Sequence, residues 1–451
     1  MMARTPATDG RPRVVRFALS PAQTIIVGFA AVILIGAVLL SLPAASANGR
    51  STPFLTALFT STTAVCVTGL VVVDTADHFS TFGELVILAL IQVGGFGYMT
   101  SWSLLALLLG WRIGLRERIV LSEAHNLYAL GGVVRFTRRL ILFTLGFEAA
   151  GAAVLTARWA AEMPLGQAAY HGVFHSVSAF NNAGFDLMGG FRSLTAFAAD
   201  PVVSLTILGL AVIGGIGFTV VSDVWTRRLT LHSRTVMLAT AALLVGGAAA
   251  ILALEFNNPD SLGTLPVASR IMAALFHSGI ARTAGFSTVQ TSAFTEPTLM
   301  VLVALMFIGG SPGGTAGGIK TTTFVAPLAL IWSAIRGTTD PVLFLRRIPV
   351  YVVYKAVTVA LIAVALVVTM SILLTVSEGI GYMPVLFETV SAFATVGLST
   401  GITPNLSPVG LVLLIVTIFT GRVGLLTLAF ALTRRQKPPL VRYPEERLYV
   451  G

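Results

Sequence analysis

Ala394–Thr400 reads A-T-V-G-L-S-T and follows the short amphipathic run Met383–Phe393. The chain holds three relatives of this stretch: Val67-Thr68-Gly69-Leu70, Asn182-Ala183-Gly184-Phe185 and Thr283-Ala284-Gly285-Phe286. With Thr395-Val396-Gly397 as the fourth, their glycines are separated by 115, 101 and 112 residues. Phe59, Phe174 and Phe387 lie ten residues before their glycine, and Phe276 lies nine before. Self-similarity at a nearly constant period marks a repeat architecture. The chain reads as one unit used four times, each ending a short helix in a glycine loop.

Composition sets the class. The 451 residues are 55% hydrophobic and 11% charged, with mean hydropathy +0.88, whereas a soluble domain carries about 25% charged residues. This predicts an integral membrane protein surrounded by lipid. The net charge of +10 does not point to nucleic acid, because the basic residues sit in short loops between apolar runs. One cysteine, Cys66, excludes an intrachain disulfide and a multi-cysteine metal site.

Long apolar runs flank every short element. Thr24–Leu42 and Leu85–Trp111 flank Ser51–Val67. Leu140–Ala157 and Pro201–Ser222 flank Gln167–Asn182, and Thr235–Leu254 and the segment opening at Pro297 flank Val267–Arg282. Ala356–Ser377 and Leu406–Thr433 flank Met383–Ala394. Runs of about 20 residues cross the hydrocarbon core. The short elements cannot, and irregular backbone at that depth survives only in protein or beside water. The expected fold is therefore all-α: eight spanning helices and four re-entrant pore loops around one pseudo-fourfold pore per monomer. The expected parts are a cytoplasmic N-terminal segment 1–20, pore repeats at 21–112, 113–228, 229–340 and 341–433, and a cytoplasmic tail 434–451. Thr24–Leu42 exceeds the 7–15 apolar residues of a signal core and reads as a retained span. Of the 29 Lys and Arg residues, 22 lie on the termini and the loops joining units, and four in the opposite loops. This bias places both termini in the cytoplasm.

Four loops entering from one side can surround an axis with backbone carbonyls, and such a ring replaces the hydration shell of a monovalent cation. Glycine enters the required conformations freely. A divalent filter would call for a carboxylate ring, which the loops lack. The expected filter residues, with potassium bound at them, are Val67, Thr68, Gly69, Asn182, Ala183, Gly184, Thr283, Ala284, Gly285, Thr395, Val396 and Gly397. Each closing span also carries G-x-x-G: Gly94/Gly97, Gly214/Gly217, Gly314/Gly317 and Gly421/Gly424. That spacing puts both glycines on one helix face, as close helix packing requires.

These features resemble the potassium-translocating subunits of bacterial Ktr systems in the Trk/Ktr/HKT superfamily. The resemblance runs through the four loops, A-R-T-A-G-F-S-T at 281–288, G-G-T-A-G-G-I-K-T-T around 314–322 and Y-P-E-E-R-L-Y-V-G at 443–451. It implies potassium uptake across the bacterial cytoplasmic membrane, no enzymatic activity and no covalent cofactor. It also implies a homodimer and a cytosolic nucleotide-binding (RCK/KTN-type) regulatory ring such as KtrA. Only 20 residues precede the first span, which favours the Ktr branch over the Trk-type pore subunit. No loop carries T-V-G-Y-G, which keeps sodium as a second candidate ion and a sodium/potassium-permeable relative as the alternative.

The third unit departs from the others. From Glu296 to Arg336 the only charge is Lys320, and a continuous helix there would be about 60 Å long, twice the core thickness. Ile308–Lys320 carries six glycines within 309–318, and Pro312. Such a stretch cannot stay helical. It reads as an intramembrane gate over 309–320: Gly310, Ser311, Pro312, Gly313, Gly314, Thr315, Ala316, Gly317 and Lys320, with Arg422 of the last span beside it. The competing reading is a passive kink. An intramembrane arginine faces the bundle interior or a wet cavity, so Arg422 reads as a positive charge below the filter, or else as a partner for Glu148 or helix-end carbonyls. Arg282 is expected to brace the third loop through nearby carbonyls or Glu388. His175 and His277 read as packed, hydrogen-bonded residues. Asp74, Asp77, Asp186 and Asp200 read either as a cation-attracting mouth or as solvated loop acids. A membrane enzyme would need a midplane cluster of titratable groups, and none is legible. An alternating-access carrier typically shows two repeats.

Overall fold

The computed structural model describes residues 21–97, 133–338 and 340–424. The segment 1–20, the basic loop Arg112–Arg118, the tail 434–451, and the stretches 98–111 and 425–433 of two expected spans lie outside the described residues.

Helices α1 (Pro21–Ser41), α4 (Val133–Trp159), α8 (Leu231–Glu255) and α12 (Val350–Glu378) are the long apolar ones, each of 21 residues or more. A short helix follows each of them: α2 (Phe54–Val65), α5 (Leu165–Phe180), α9 (Val267–Ile280) and α13 (Tyr382–Ala394). Small residues let the two approach. Ser61 Oγ donates to Ile33 O at 2.7 Å, Ser176 Oγ to Glu148 O at 2.6 Å, and Ser278 Oγ to Leu244 O at 2.8 Å. Gly36, Gly151 and Gly247 leave room for those serines. The phenylalanines Phe59, Phe174, Phe276 and Phe387 are all buried. One face of each long helix stays exposed, as at Leu34, Ile35 and Val38 or Leu361 and Val364. In a membrane that face meets lipid.

The closing helices are α3 (Thr81–Phe96), α6 (Pro201–Ile216), α10 (Glu296–Phe307) and α14 (Pro408–Val423). Ser80, Asp200 and Ser407 cap three of them by accepting from Gly83, Val202 and Gly410 N–H groups at 3.3, 2.9 and 3.2 Å. The expected continuous span Pro201–Ser222 is corrected: the helix stops at Gly217 and resumes as α7 (Phe218–Trp225) at a bend of 96°. In the third unit α10 ends at Phe307 and α11 starts at Thr321 (Thr321–Ile335), so Ile308–Lys320 is non-helical as the glycine content predicts. Among the described residues four helices are individually long and apolar enough to cross a membrane, five with the bent pair.

The G-x-x-G reading also needs correction. Gly94, Gly214 and Gly421 do seat the closing helix, against the carbonyls of Val65, Phe180 and Phe393 at the ends of the short helices. Their partners Gly97, Gly217 and Gly424 have φ of 75°, 89° and 89° and end the helices rather than share a face with them. Gly314 and Gly317 lie in the 308–320 loop. A small antiparallel hairpin, β1 (Val342–Leu343) and β2 (Arg346–Arg347), precedes α12.

Apolar clusters join the units in a closed circle. Val67 and Leu70 share a core with Phe174 and Phe185 of the second unit and with Leu414 and Ile418 of the fourth. Phe180 and Ile207 pack with Phe276 and Phe286. Ala273 and Leu302 pack with Phe387 and Val396.

Candidate functional site

The four short helices end in one backbone pattern. Val67, Asn182, Thr283 and Thr395 have φ of 49°, 58°, 84° and 51°, and the glycines two residues on, Gly69, Gly184, Gly285 and Gly397, have φ of 91°, 70°, 72° and 92°. The amides turn back into the helix. Thr68 N–H donates to Thr63 O, Ala183 N–H to Ser178 O and Val396 N–H to Ser391 O, each at 2.8 Å. In the third loop Ala284 N–H donates to Ile280 O at 2.9 Å, one residue closer along the chain than in the other three.

With the N–H groups turned away, the carbonyls face the neighbouring loop. A Cβ on Gly184 would lie 3.1 Å from Ala284 O, and one on Gly285 would lie 2.7 Å from Val396 O. The same crowding sets Gly69 against Ala183 O and Gly397 against Thr68 O. The loops therefore meet in cyclic order, each carbonyl before a glycine facing the glycine of the preceding loop, with Thr68 closing the circle on Gly397. Side-chain oxygens add to the set. Thr68 Oγ1, Asn182 Oδ1, Thr283 Oγ1 and Thr395 Oγ1 are buried without a hydrogen-bond partner among the described residues. Leaving buried acceptors unmade is costly, so a cluster of them at the ends of four helices suits a dehydrated cation.

The loop 308–320 lies against this ring. Its Ser311 N–H donates to Gly215 O at 3.0 Å and Ser311 Oγ to Ile216 O at 2.7 Å. Thr315 N–H donates to Gly214 O at 3.1 Å. The break at Gly217 makes these carbonyls available, since a continuing helix would use them. Asn182 Nδ2 donates to Thr315 Oγ1 at 3.0 Å, and Gly317 packs on Thr395. Lys320 Nζ donates to Ala316 O at 2.6 Å within the loop.

The comparison with known families decides the identity. A family model described as TrkH, cation transport protein, matches residues 15–439. The chain belongs to the TrkH family of cation transport proteins. It is 38% identical to Ktr system potassium uptake protein B of Vibrio alginolyticus, over 99% of this chain and 96% of that protein. It is 36% identical to the potassium/sodium uptake protein NtpJ of Enterococcus hirae, over 97% and 98%. In fold it is similar to the crystal structure of the potassium transporter TrkH from Vibrio parahaemolyticus, with TM-score 0.72 and 17% identity, covering 94% of this chain and 86% of that one. A TrkH-family chain is a multi-pass membrane transporter, not an enzyme.

In this TrkH-family chain the two intramembrane arginines have specific partners. Arg422 donates from Nη1 to Thr315 O and from Nη2 to Gly94 O at 2.6 Å. It thus engages helix-end and loop carbonyls and not Glu148. Glu148 accepts from Asn181 Nδ2 at 2.8 Å and Gln92 Nε2 at 3.2 Å, a buried network between the first two units that the sequence hinted at only by placing a carboxylate inside a span. Arg282 does not reach Glu388: its Nη2 donates to Gly309 O at 3.2 Å, which links the third glycine loop to the start of the 308–320 loop.

His175 and His277 are buried and hydrogen bonded. Three of the loop aspartates act as staples. Asp77 accepts from Gly190 N–H at 2.9 Å and Asp74 from Phe191 N–H at 2.6 Å. Asp200 pairs with Arg158 at 2.6 Å. Asp186 accepts from Met188 N–H at 3.0 Å.

Proposed function

We propose that this protein is the potassium-conducting membrane subunit of a Ktr-type uptake system. The four glycine loops form its selectivity filter and the 308–320 loop its gate. One observation carries the reading: four cyclically arranged loops bring together carbonyls and side-chain oxygens left without hydrogen-bond donors. Relatives named as Ktr potassium uptake proteins at 38% identity over nearly the full chain support potassium as the substrate. The Ktr name of those relatives supports a further reading: a homodimer in the bacterial plasma membrane, termini in the cytoplasm, with a nucleotide-binding regulatory ring on that side. Arg282 then couples filter to gate, and Arg422 latches the gate.

The test is rescue of potassium-limited growth in a strain lacking its own uptake systems, followed by flux in proteoliposomes. Rescue with channel-like rates is expected, and absence of potassium flux in well-inserted protein would sink the proposal. A second reading, mixed sodium and potassium uptake, is favoured by Asn182 where two other loops carry threonine and by the relative named for both ions. Sodium flux comparable to potassium flux would select it.

A further inference from the structure

Each polar atom of Thr315, in the 308–320 loop, is spent on another element. Its N–H donates to Gly214 O near the end of α6 at 3.1 Å, and its carbonyl accepts from Arg422 of α14. Its hydroxyl does two things. Oγ1 donates to Phe180 O, at the last residue of α5, at 3.2 Å, and accepts from Asn182 Nδ2 at 3.0 Å. The second bond joins a side chain of the loop to a side chain of the four-loop ring.

Counting hydrogens fixes the direction of that bond. A threonine hydroxyl has one hydrogen, and a carbonyl only accepts. With the hydrogen given to Phe180 O, Oγ1 can only accept from Asn182. The amide therefore turns its nitrogen to Thr315 and leaves Oδ1 buried without a partner. The same place in the other loops holds Val67, Thr283 and Thr395, and both threonine hydroxyls are unpartnered among the described residues. A hydroxyl rotates, so its oxygen is available to a cation in any setting. An amide carries an acceptor at one end and two N–H donors at the other, and the donor end repels a cation. Of the four, Asn182 alone needs a neighbour to set it, and that neighbour belongs to the loop.

Resting on the filter and gate reading above, we propose that Thr315 is a positioning residue that couples the 308–320 loop to the ion affinity of the ring. Docked, the loop holds Asn182 with its oxygen free for a monovalent cation. Displaced, the loop takes the hydroxyl with it, the amide turns, and the ring holds the ion more weakly. Conduction needs such a site to bind on entry and let go on exit. Linkage makes the effect reciprocal: an ion in the ring favours the docked loop by the same factor.

The test uses the full-length protein in lipid nanodiscs, with potassium titrated against choline at constant ionic strength. A ligand that binds only the folded state raises Tm with concentration. Thr315→Val removes the hydroxyl and leaves the backbone bonds to Gly214 and Arg422, and should raise half-saturating potassium at least fivefold. Thr315→Ser should stay within twofold of the parent. Asn182→Ala combined with Thr315→Val should be no weaker than Asn182→Ala alone, as for two halves of one interaction. The reciprocal arm places a thiol on the loop by Pro312→Cys, at a partly exposed position, while the native Cys66 is buried. Potassium should slow its modification by a water-soluble thiol reagent severalfold, and should not slow it when Thr315→Val is added. A parental value of either quantity in Thr315→Val, a loss that Thr315→Ser does not restore, or full additivity with Asn182→Ala overturns the coupling. Potassium flux in proteoliposomes then still upholds the filter and gate. No potassium response in the parent removes the filter reading and this inference with it. Should Thr315→Val fail to fold, Thr315→Ala gives the same readouts.

Discussion

Arg422 holds two carbonyls from distant parts of the chain, Thr315 O in the 308–320 loop and Gly94 O at the end of α3. Hydrogen bonds from a charged donor are each worth about 1.5–3 kcal/mol. On the proposed conduction path the charge would repel a passing cation by about 2 kcal/mol at about 8 Å and an effective dielectric near 20. Arg422→Gln weakens the latch and removes the repulsion, so maximal potassium uptake should rise several-fold with ion preference little changed. A rate at or below the parent's in well-inserted protein would assign Arg422 to folding alone. The ring glycines answer to a different constraint. A serine at Gly184 would set its Cβ 2.8 Å from Gly285 Cα at a φ of 70°, a backbone region that costs an L-residue about 1–2 kcal/mol. Gly69→Ser, Gly184→Ser, Gly285→Ser and Gly397→Ser should each insert normally yet lose potassium-over-sodium discrimination. Unchanged discrimination in all four would remove the ring from the conduction path.

The 308–320 loop is fastened by Ser311 and Thr315 to the carbonyls freed at the Gly217 break. Three such bonds at about 1 kcal/mol each make a clasp that thermal motion can open. Shortening Gly310–Gly317 should raise basal potassium flux in protein that still inserts. Flux that only falls would mark the loop as a structural plug. The loop's limits were legible in the sequence, because six glycines and a proline cannot continue a helix. The glycine loops were legible too, through their repetition. The 96° bend after Ile216 was not, because Ile213-Gly214-Gly215-Ile216-Gly217-Phe218 reads as unbroken apolar sequence and only the docked loop makes use of the break. Nor was Arg282's partner legible: Gly309 lies 27 residues on, and packing rather than local pattern selects it over Glu388.

The hairpin at Arg346 and Arg347 presents two exposed arginines, of which Arg347 pairs with Asp340 at 2.9 Å. If a regulatory ring docks there, alanine at Arg346 and Arg347, combined with Arg116 and Arg118, should weaken its co-purification, more so at high salt. Undiminished binding at both salt levels would move the interface elsewhere. The closed order of the four loops has its own corollary. A tetramer of identical chains multiplies every substitution by four, so its filter changes in one leap. Here each quarter of the circle is encoded once. Asn182 can differ from Thr283 and Thr395, one quarter alone can carry Arg282, and one alone can supply the plug. Single, double and triple replacements should therefore grade ion preference in steps, giving a dose-response written in the gene rather than in subunit mixing.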